Sequence, residues 1–435
     1  MQKVKVIGGG LAGAECAYFL ATHGVKVDLY DIKPNKFTPA HTSNLYGELV
    51  CSNSLKSNDI YGNAAGLLKQ EMRLLGSLII EAGDLTRVPA GNALAVDRDK
   101  FAEYITKKIS EQKNITRISQ EITDINPDEF TVVATGPLTT EALSENLKKF
   151  VGGGLSFFDA SAPVIDAESI DMENAFVGDR WDKGDGDHIN CPMNKEQYLE
   201  FMDALTRAER AKLHDFENTQ VFEGCMPIEV MATRGLDTLR FGPLKPAGLT
   251  DPKTGRWPYA CLQLRKEDKE GKMYNLIGFQ TNLLFGEQKK VFSIIPALKN
   301  AEYLRYGVMH RNTFINAPKV LDSDFSLKEH GKVFFAGQIT GVEGYVESAG
   351  SGLMAGVYAL RKIKGENDIR VSDKTVLGSL ARYITTENKD FQPMNANFGV
   401  LPPLDKIVRD KAERKKQMAE RSLLEISSFK KEIGL

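Results

Sequence analysis

The sequence predicts an α/β fold: a parallel-sheet domain interrupted by a smaller, strand-rich α/β domain. Three observations carry this. A short alternating strand at residues 3–7 runs into a glycine turn, a helix through Leu20 and a second strand at residues 25–30. A β-α-β unit of that size is a parallel crossover. Two further β-rich runs, residues 131–134 and 332–336, each close in a glycine turn, at Gly136 and Gly337. Between them, from 191 to 315, strand-like stretches (219–222, 260–264, 273–279) alternate with turns such as GPLKPAG and DPKTGRWP. The flanking elements sit at both ends of the chain and must reunite in space.

The first turn reads GGGLAG, which sets Gly8, Gly10 and Gly13 in the spacing G-x-G-x-x-G, with Gly9, Leu11 and Ala12 between them. Gly8 permits the tight turn, Gly10 lets the backbone approach a pyrophosphate, and Gly13 lets the helix pack on the strand. The helix N-terminus faces the phosphates with its partial positive charge. Gly24 is placed to end that helix. Asp31 closes the second strand, where a carboxylate accepts hydrogen bonds from a ribose hydroxyl. Strand, glycines, helix, strand and acid in register imply a dinucleotide site. They do not by themselves separate FAD from NAD.

Two distal segments do. VVATGP, with Thr135 and Gly136, and FAGQITGVEGYVESAGSGLMAG, with Gly337, Gln338, Gly344 and Tyr345, resemble the distal FAD motifs of flavoproteins with two dinucleotide folds. The second opens a Gly/Ser/Ala-rich helix that directs N–H groups at the flavin or its phosphates. The expected architecture is an FAD-binding, Rossmann-like domain of the two-dinucleotide-fold type. It is split into residues 1–190 and 316–435 around an inserted α/β domain at 191–315. No second complete G-x-G-x-x-G occurs, so NADPH or NADH is expected to bind transiently beside the flavin. From Asp405 the chain reads as a helical tail, a solvated surface helix whose Lys and Arg are offset by acids.

A hydrophobic content of 42% and a charged content of 26% belong to soluble globular proteins. A net charge of −2 announces no nucleic-acid binder, although a local basic face is invisible in the total. The N-terminus reads as strand and phosphate loop rather than secretory leader, and no apolar run approaches bilayer length. A cytoplasmic location is expected. The cysteines, at 16, 51, 191, 225 and 261, include no C-x-x-C pair, which argues against zinc and for reduced thiols. The acidic run at 179–187 lacks EF-hand spacing, and no metal is expected.

Two of these cysteines stand in distinctive contexts. Cys51 precedes Ser52-Asn53-Ser54, residues that favour helix N-caps, and a thiol at a helix N-terminus gains thiolate character. Cys225 lies between Gly224 and Pro227, in a turn expected at a strand end. On local chemistry alone either reads first as a buried, inert thiol. Cys16, inside the first helix, and Cys261, in an alternating strand, read as core; Cys191 is undecided.

Longer segments resemble a known family. GGGLAGAECAYFLA, TPAHTSNLYGELVCSNSLKS, PAGNALAVDRDKFAEYI, FEGCMPIEVMA, FGPLKPAGL, YGVMHRNTFINAP, FAGQITGVEGYVESAGSGLMAG and FQPMNANFGVLPPL look like the folate- and FAD-dependent tRNA uracil-5-methyltransferases, the TrmFO family. The resemblance runs over nearly the whole length. A longer, related family of the GidA type, which modifies wobble uridines, shares the glycine-rich segments.

The resemblance implies that 5,10-methylenetetrahydrofolate donates a one-carbon unit, reduced FAD supplies reducing equivalents, and NADPH or NADH reduces the flavin. The implied product is 5-methyluridine in RNA. Uracil C5 is a poor nucleophile until a thiolate adds at C6. The one-carbon unit is then captured at C5, the C5 proton leaves, and a hydride completes the methyl. That sequence needs a nucleophile and a proton shuttle. By this resemblance Cys225 is the nucleophile and Cys51 the acid/base or second covalent partner, with the reverse assignment open. His310 would stack on the folate over the flavin, with Arg311 and Asn312 as weaker candidates. The implied substrate is the T-loop uridine of tRNA. Alternatives are the same reaction on a 23S rRNA uridine, a small-molecule flavin oxidoreductase, and a flavoprotein that binds RNA without catalysis.

Overall fold

The structure is a computed structural model that describes residues 3–38, 40–152, 155–182, 186–211, 226–268, 270–307, 309–388 and 391–435, without the side chains of 155–160, 182 and 310–312. β1 (Lys3–Ile7) and β2 (Lys26–Asp31) pair in parallel, joined by α1 (Leu11–Thr22). β6 (Ile115–Ser119) extends the sheet beyond β2, and β7 (Thr131–Val133) and β16 (Val333–Phe335) extend it beyond β1. The order β16-β7-β1-β2-β6 is parallel throughout. Val4, Val6, Val27, Leu29, Val132 and Phe334 are fully buried in it, as a sheet covered on both faces requires. The two distant strand runs and the N-terminal unit therefore do reunite.

β3 (Ser54–Ser57), β4 (Arg87–Val88) and β5 (Ala93–Val96) form a small separate sheet. Around it lie α2 (Ala64–Leu74), α3 (Leu78–Leu85) and α4 (Arg98–Glu111), and α5 (Glu141–Val151) follows β7 in the chain. A pair of antiparallel strands then links the two halves: β8 (Leu155–Ala160) leads out and β15 (Met309–Phe314) leads back.

Beyond that pair lies an antiparallel sheet. Its strands are β9 (Val164–Asp166), β10 (Phe176–Val177), β11 (His188–Met193), β12 (Ala260–Lys266), β13 (Met273–Leu276) and β14 (Tyr303–Arg305), in the order β10-β11-β12-β13-β9-β14. α6 (Lys195–Arg207), α7 (Ile228–Thr233), α8 (Thr238–Phe241) and α9 (Phe285–Phe292) share one apolar core with it, including Phe201, Ile228, Leu239, Leu262 and Phe292. This sheet begins at Val164, before residue 191 where the sequence placed the insert. β9 is three residues long and is defined by pairing with β13 and β14, which leaves no periodicity to read. The expected strand at 219–222 lies outside the described residues.

After α10 (Ala317–Val320) the chain returns to the first sheet and forms α11 (Tyr345–Lys364), α12 (Val376–Thr385) and α13 (Lys411–Glu432). The tail is more than a solvated helix. Met418, Ala419, Ser422, Ile426 and Phe429 of α13 are buried along one face.

Two buried carboxylates hold helix ends together. Glu15 of α1 accepts from the backbone N–H of Leu78 and Ile79 and from Ser77 Oγ, all at the start of α3. Glu71 of α2 accepts from the N–H groups of Val376 and Leu377, which open α12, and from Ser422 Oγ on α13 at 2.5 Å. Burial raises both carboxyls from 4.5 to about 7, against hydrogen bonds that lower them. The folded state thus binds more protons than the unfolded chain between those values. Its gain in stability is complete below about 4.5 and is lost as pH rises to about 7. Glu71→Gln is expected to remove its share, on the order of 1–3 kcal/mol across that window. Urea unfolding of both proteins through the window checks this; parallel stability profiles would contradict it.

Candidate active site

A cleft opens at the C-terminal ends of β1, β2, β7 and β16. Gly8, Gly9, Gly10, Leu11, Ala12, Asp31, Thr135, Gly136, Gly337, Gln338 and Tyr345 line it. Gly8 has φ +106°, and a Cβ there would lie 2.5 Å from the Ala134 carbonyl oxygen. A Cβ at Gly13 would lie 1.8 Å from the Gly8 oxygen, so this residue packs the helix on the loop instead of lining the cleft. Gly10 is different: nothing lies within 4 Å of its Cβ direction, and the backbone there faces open space. Asp31 accepts from the N–H of Gly9 at 2.7 Å and from that of Lys33 at 2.8 Å.

α1 starts after Gly10 and α11 after Gly344 (φ +119°), and neither has a side-chain cap. Their first-turn N–H groups are therefore left for a ligand. The helices cross so closely that a Cβ on Gly352 would sit 2.2 Å from the Ala12 oxygen. That crossing brings both N-termini to one cleft. Two uncapped helix starts, an open glycine and a carboxylate at the end of β2 fit the pyrophosphate and ribose of FAD.

Cys51 lies at the edge of this cleft, next to Val50, which lines it. The N–H groups of Cys51 and Ser52 donate to Tyr345 Oη at 2.6 and 3.2 Å. No helix follows Cys51. Ser52 Oγ accepts from Ser54 N–H, and the Asn53 amide donates to the carbonyls of Val96 and Lys266. The Ser-Asn-Ser run serves a turn and its strand neighbours, and the chain enters β3. A bulge there puts Lys56 at φ +63° and pairs its Nζ with buried Glu347 at 2.8 Å, tying the Cys51 loop to α11.

Arginines supply the positive potential that the expected helix would have supplied. Arg98 Nη1 donates to Leu49 O at 3.1 Å, on one side of Cys51. Arg265 donates to Asn53 Oδ1 at 3.0 Å and Ser52 Oγ at 2.9 Å, on the other. Arg265 and Arg305 both interact electrostatically with Cys51, and burial draws both guanidiniums below their ordinary value. Glu267 pairs with Arg98 at 2.6 Å. Burial, then the Cys51 charge, pushes the Tyr345 phenol well up, so it stays neutral.

Cys225 lies outside the described residues. His310 and Arg311 are on β15, and their side chains lie outside the described structure. The backbone of that strand runs against the cleft wall, where Thr313 N–H donates to Pro137 O at 2.9 Å. Cys16, Cys191 and Cys261 are buried, and burial raises all three thiols, that of Cys261 to about 12. None is suited to attack. Sequence reasoning missed Arg98, Arg265 and Arg305. Arg98 opens α4, and Arg265 and Arg305 lie at or next to the last residue of β12 and β14; the spacing between them carries no motif.

The family model "Glucose inhibited division protein A" matches residues 3–367. The methylenetetrahydrofolate--tRNA-(uracil-5-)-methyltransferase TrmFO of Lactobacillus acidophilus is 53% identical over 435 residues, 99% of each chain. The chain belongs to the TrmFO family. A TrmFO from Enterococcus faecalis is 54% identical over 424 residues, 97% of each chain. The fold of this TrmFO-family chain also matches Aquifex aeolicus GidA in its form II crystal, at a TM-score of 0.74 and 18% identity, covering 99% of this chain and 73% of that one. At that identity the likeness speaks for the fold. Among the described residues no helix is long and apolar enough to cross a membrane.

Proposed function

We propose that this protein methylates C5 of a uridine in tRNA, taking the carbon from 5,10-methylenetetrahydrofolate. Its relatives are named for that reaction over the full length of both chains. The observation that carries the reading is the hydrogen bond from Cys51 N–H to Tyr345, which joins a thiol to the dinucleotide cleft. The cleft residues would hold the flavin, which in its reduced form would supply the hydride that completes the methyl group, with NADPH or NADH as the reductant that restores it.

The residues divide the work. Gly8 to Ala12, Asp31, Thr135, Gly136, Gly337, Gln338, Gly344 and Tyr345 hold the cofactor, and Gly13 sets the helix on their loop. Cys225 adds to C6 of the uracil, and Cys51 takes the C5 proton. Arg265 and Arg305 favour the thiolate that this proton transfer needs, and Tyr345 fixes the loop that carries it. His310 and Arg311 on β15 hold the folate beside the cleft wall.

The test is direct. The protein is incubated with methylenetetrahydrofolate, NADPH and, in separate reactions, unmodified tRNA or 23S rRNA, and nucleosides are mapped by mass spectrometry. 5-Methyluridine at the T-loop is the expected product. Its appearance in 23S rRNA alone moves the substrate, and its absence from both RNAs sinks the reading.

A further inference from the structure

A groove on the antiparallel-sheet side combines aromatic rings with positive charge. Phe285, Lys289, Lys290, Lys299, Tyr303 and Tyr306 line it. Phe285 stacks on Tyr306 with centroids 4.7 Å apart and planes 14° apart, and Tyr306 stacks on Tyr303 at 5.1 Å and 4°. The three rings make one ladder, and its outer member, Phe285, is 54% exposed. Lys290 pairs with Glu287 at 3.4 Å; among the described residues neither Lys289 nor Lys299 has a carboxylate partner.

The strand that carries Tyr303 also carries Arg305. Tyr303 and Arg305 open and close β14, with a bulge between them against β9. Arg305 is one of the arginines that act on Cys51. Its Nε and Nη2 are buried and have no hydrogen-bond partner among the described residues. Those two nitrogens form the guanidinium edge that grips two oxygens of one phosphate. Glu267 and Cys51 act on the Arg305 charge without filling that edge, and a buried donor left unbonded is costly, so the edge calls for an oxyanion.

We propose that β14 is a track for RNA. The open face of Phe285 stacks an unpaired base, Lys289 and Lys299 take backbone phosphates, and Arg305 takes the phosphate of the nucleotide presented to Cys51. The proposal rests on the RNA-methylation reading above. Aromatic faces accept any base, and unopposed lysines favour phosphodiesters; together they make a surface for unstacked RNA such as a loop. An acidic peptide would satisfy the lysines but leave the Phe285 face unused.

Binding of the FAD-loaded protein to a fluorescent unmodified tRNA is measured across a salt series. Phe285→Ala is expected to weaken affinity by about fivefold or more. The double variant K289A/K299A is expected to lower the slope of log affinity against log salt by roughly 1.5. Arg305→Met is expected to weaken binding more than Arg305→Lys, which keeps the charge and loses the two-pronged grip. FAD content and NADPH oxidation in Phe285→Ala and K289A/K299A should match the parent, which shows the fold intact. If these variants bind tRNA with parental affinity and slope while the parent methylates it, the track is overturned and the reaction stands. If the parent neither binds nor methylates tRNA, both fall. A Phe285→Ala protein that changes oligomeric state at parental tRNA affinity makes the groove a contact between copies and also overturns the track.

Discussion

Cys225→Ala is expected to abolish 5-methyluridine formation while leaving FAD bound, and Cys51→Ala to slow it by roughly 10²–10⁴-fold, the range of a lost acid–base group. The two losses differ in kind. A nucleophile that adds to C6 is covalently joined to RNA during the reaction, whereas a proton shuttle is not. RNA carrying 5-fluorouridine separates them, because fluorine at C5 blocks the proton loss that would release the enzyme. A stalled protein–RNA adduct should form with Cys51→Ala and be missing with Cys225→Ala. The opposite pattern reverses the assignment. Cys51 suits the shuttle role: it is half-buried at the cleft edge, and Arg265 and Arg305 act on it. Adducts with neither variant, or with both, would show that the thiols do not divide the work this way.

Gly352→Ala is expected to cost about 3 kcal/mol of stability and to release FAD. The added Cβ would meet the Ala12 oxygen at 2.2 Å, its Cα at 2.7 Å and its carbonyl carbon at 2.8 Å. All three are backbone atoms, so no side-chain rotation relieves the clash, and α1 and α11 must part. Both helices start at the cleft, which makes the damage local to the cofactor site. Gly356→Ala, one turn further along, is the control. Its Cβ would meet the Phe19 ring edge at 3.1 Å, which a small ring shift relieves. Urea unfolding and flavin release on gel filtration measure both. Equal stability and full FAD content in Gly352→Ala would refute the argument.

The parts of this molecule that were legible in its sequence are those whose chemistry is local. The glycine loop, the acid at the end of β2 and the glycine-started α11 each depend on backbone geometry within a few residues, so type and spacing declare them. What depends on distant partners stayed hidden. The surroundings of Cys51 come from α4, β12, β14 and α11, and no local signal unites Arg98, Arg265, Arg305 and Tyr345. Ser52, Asn53 and Ser54 pointed to a helix because their side chains cap helices; here Lys266 and Val96 claim the Asn53 amide and a strand results. Glu15 and Glu71 sit on helices where a glutamate ordinarily faces water. Their burial follows from the helix starts they bind, at residues 78 and 376, far along the chain.

Asp31 spends both of its oxygens on the protein before any cofactor is considered, one on Gly9 and one on Lys33. Carboxylate oxygens retain lone pairs, so the residue still has capacity for a ribose hydroxyl. The consequence is entropic. The glycine loop, which has the most conformational freedom to lose, is already held in shape by the same residue that will greet the ligand. Ordering that would otherwise be charged against association has been completed during folding. Loosening this carboxylate should therefore weaken FAD retention by more than one lost ribose contact would account for.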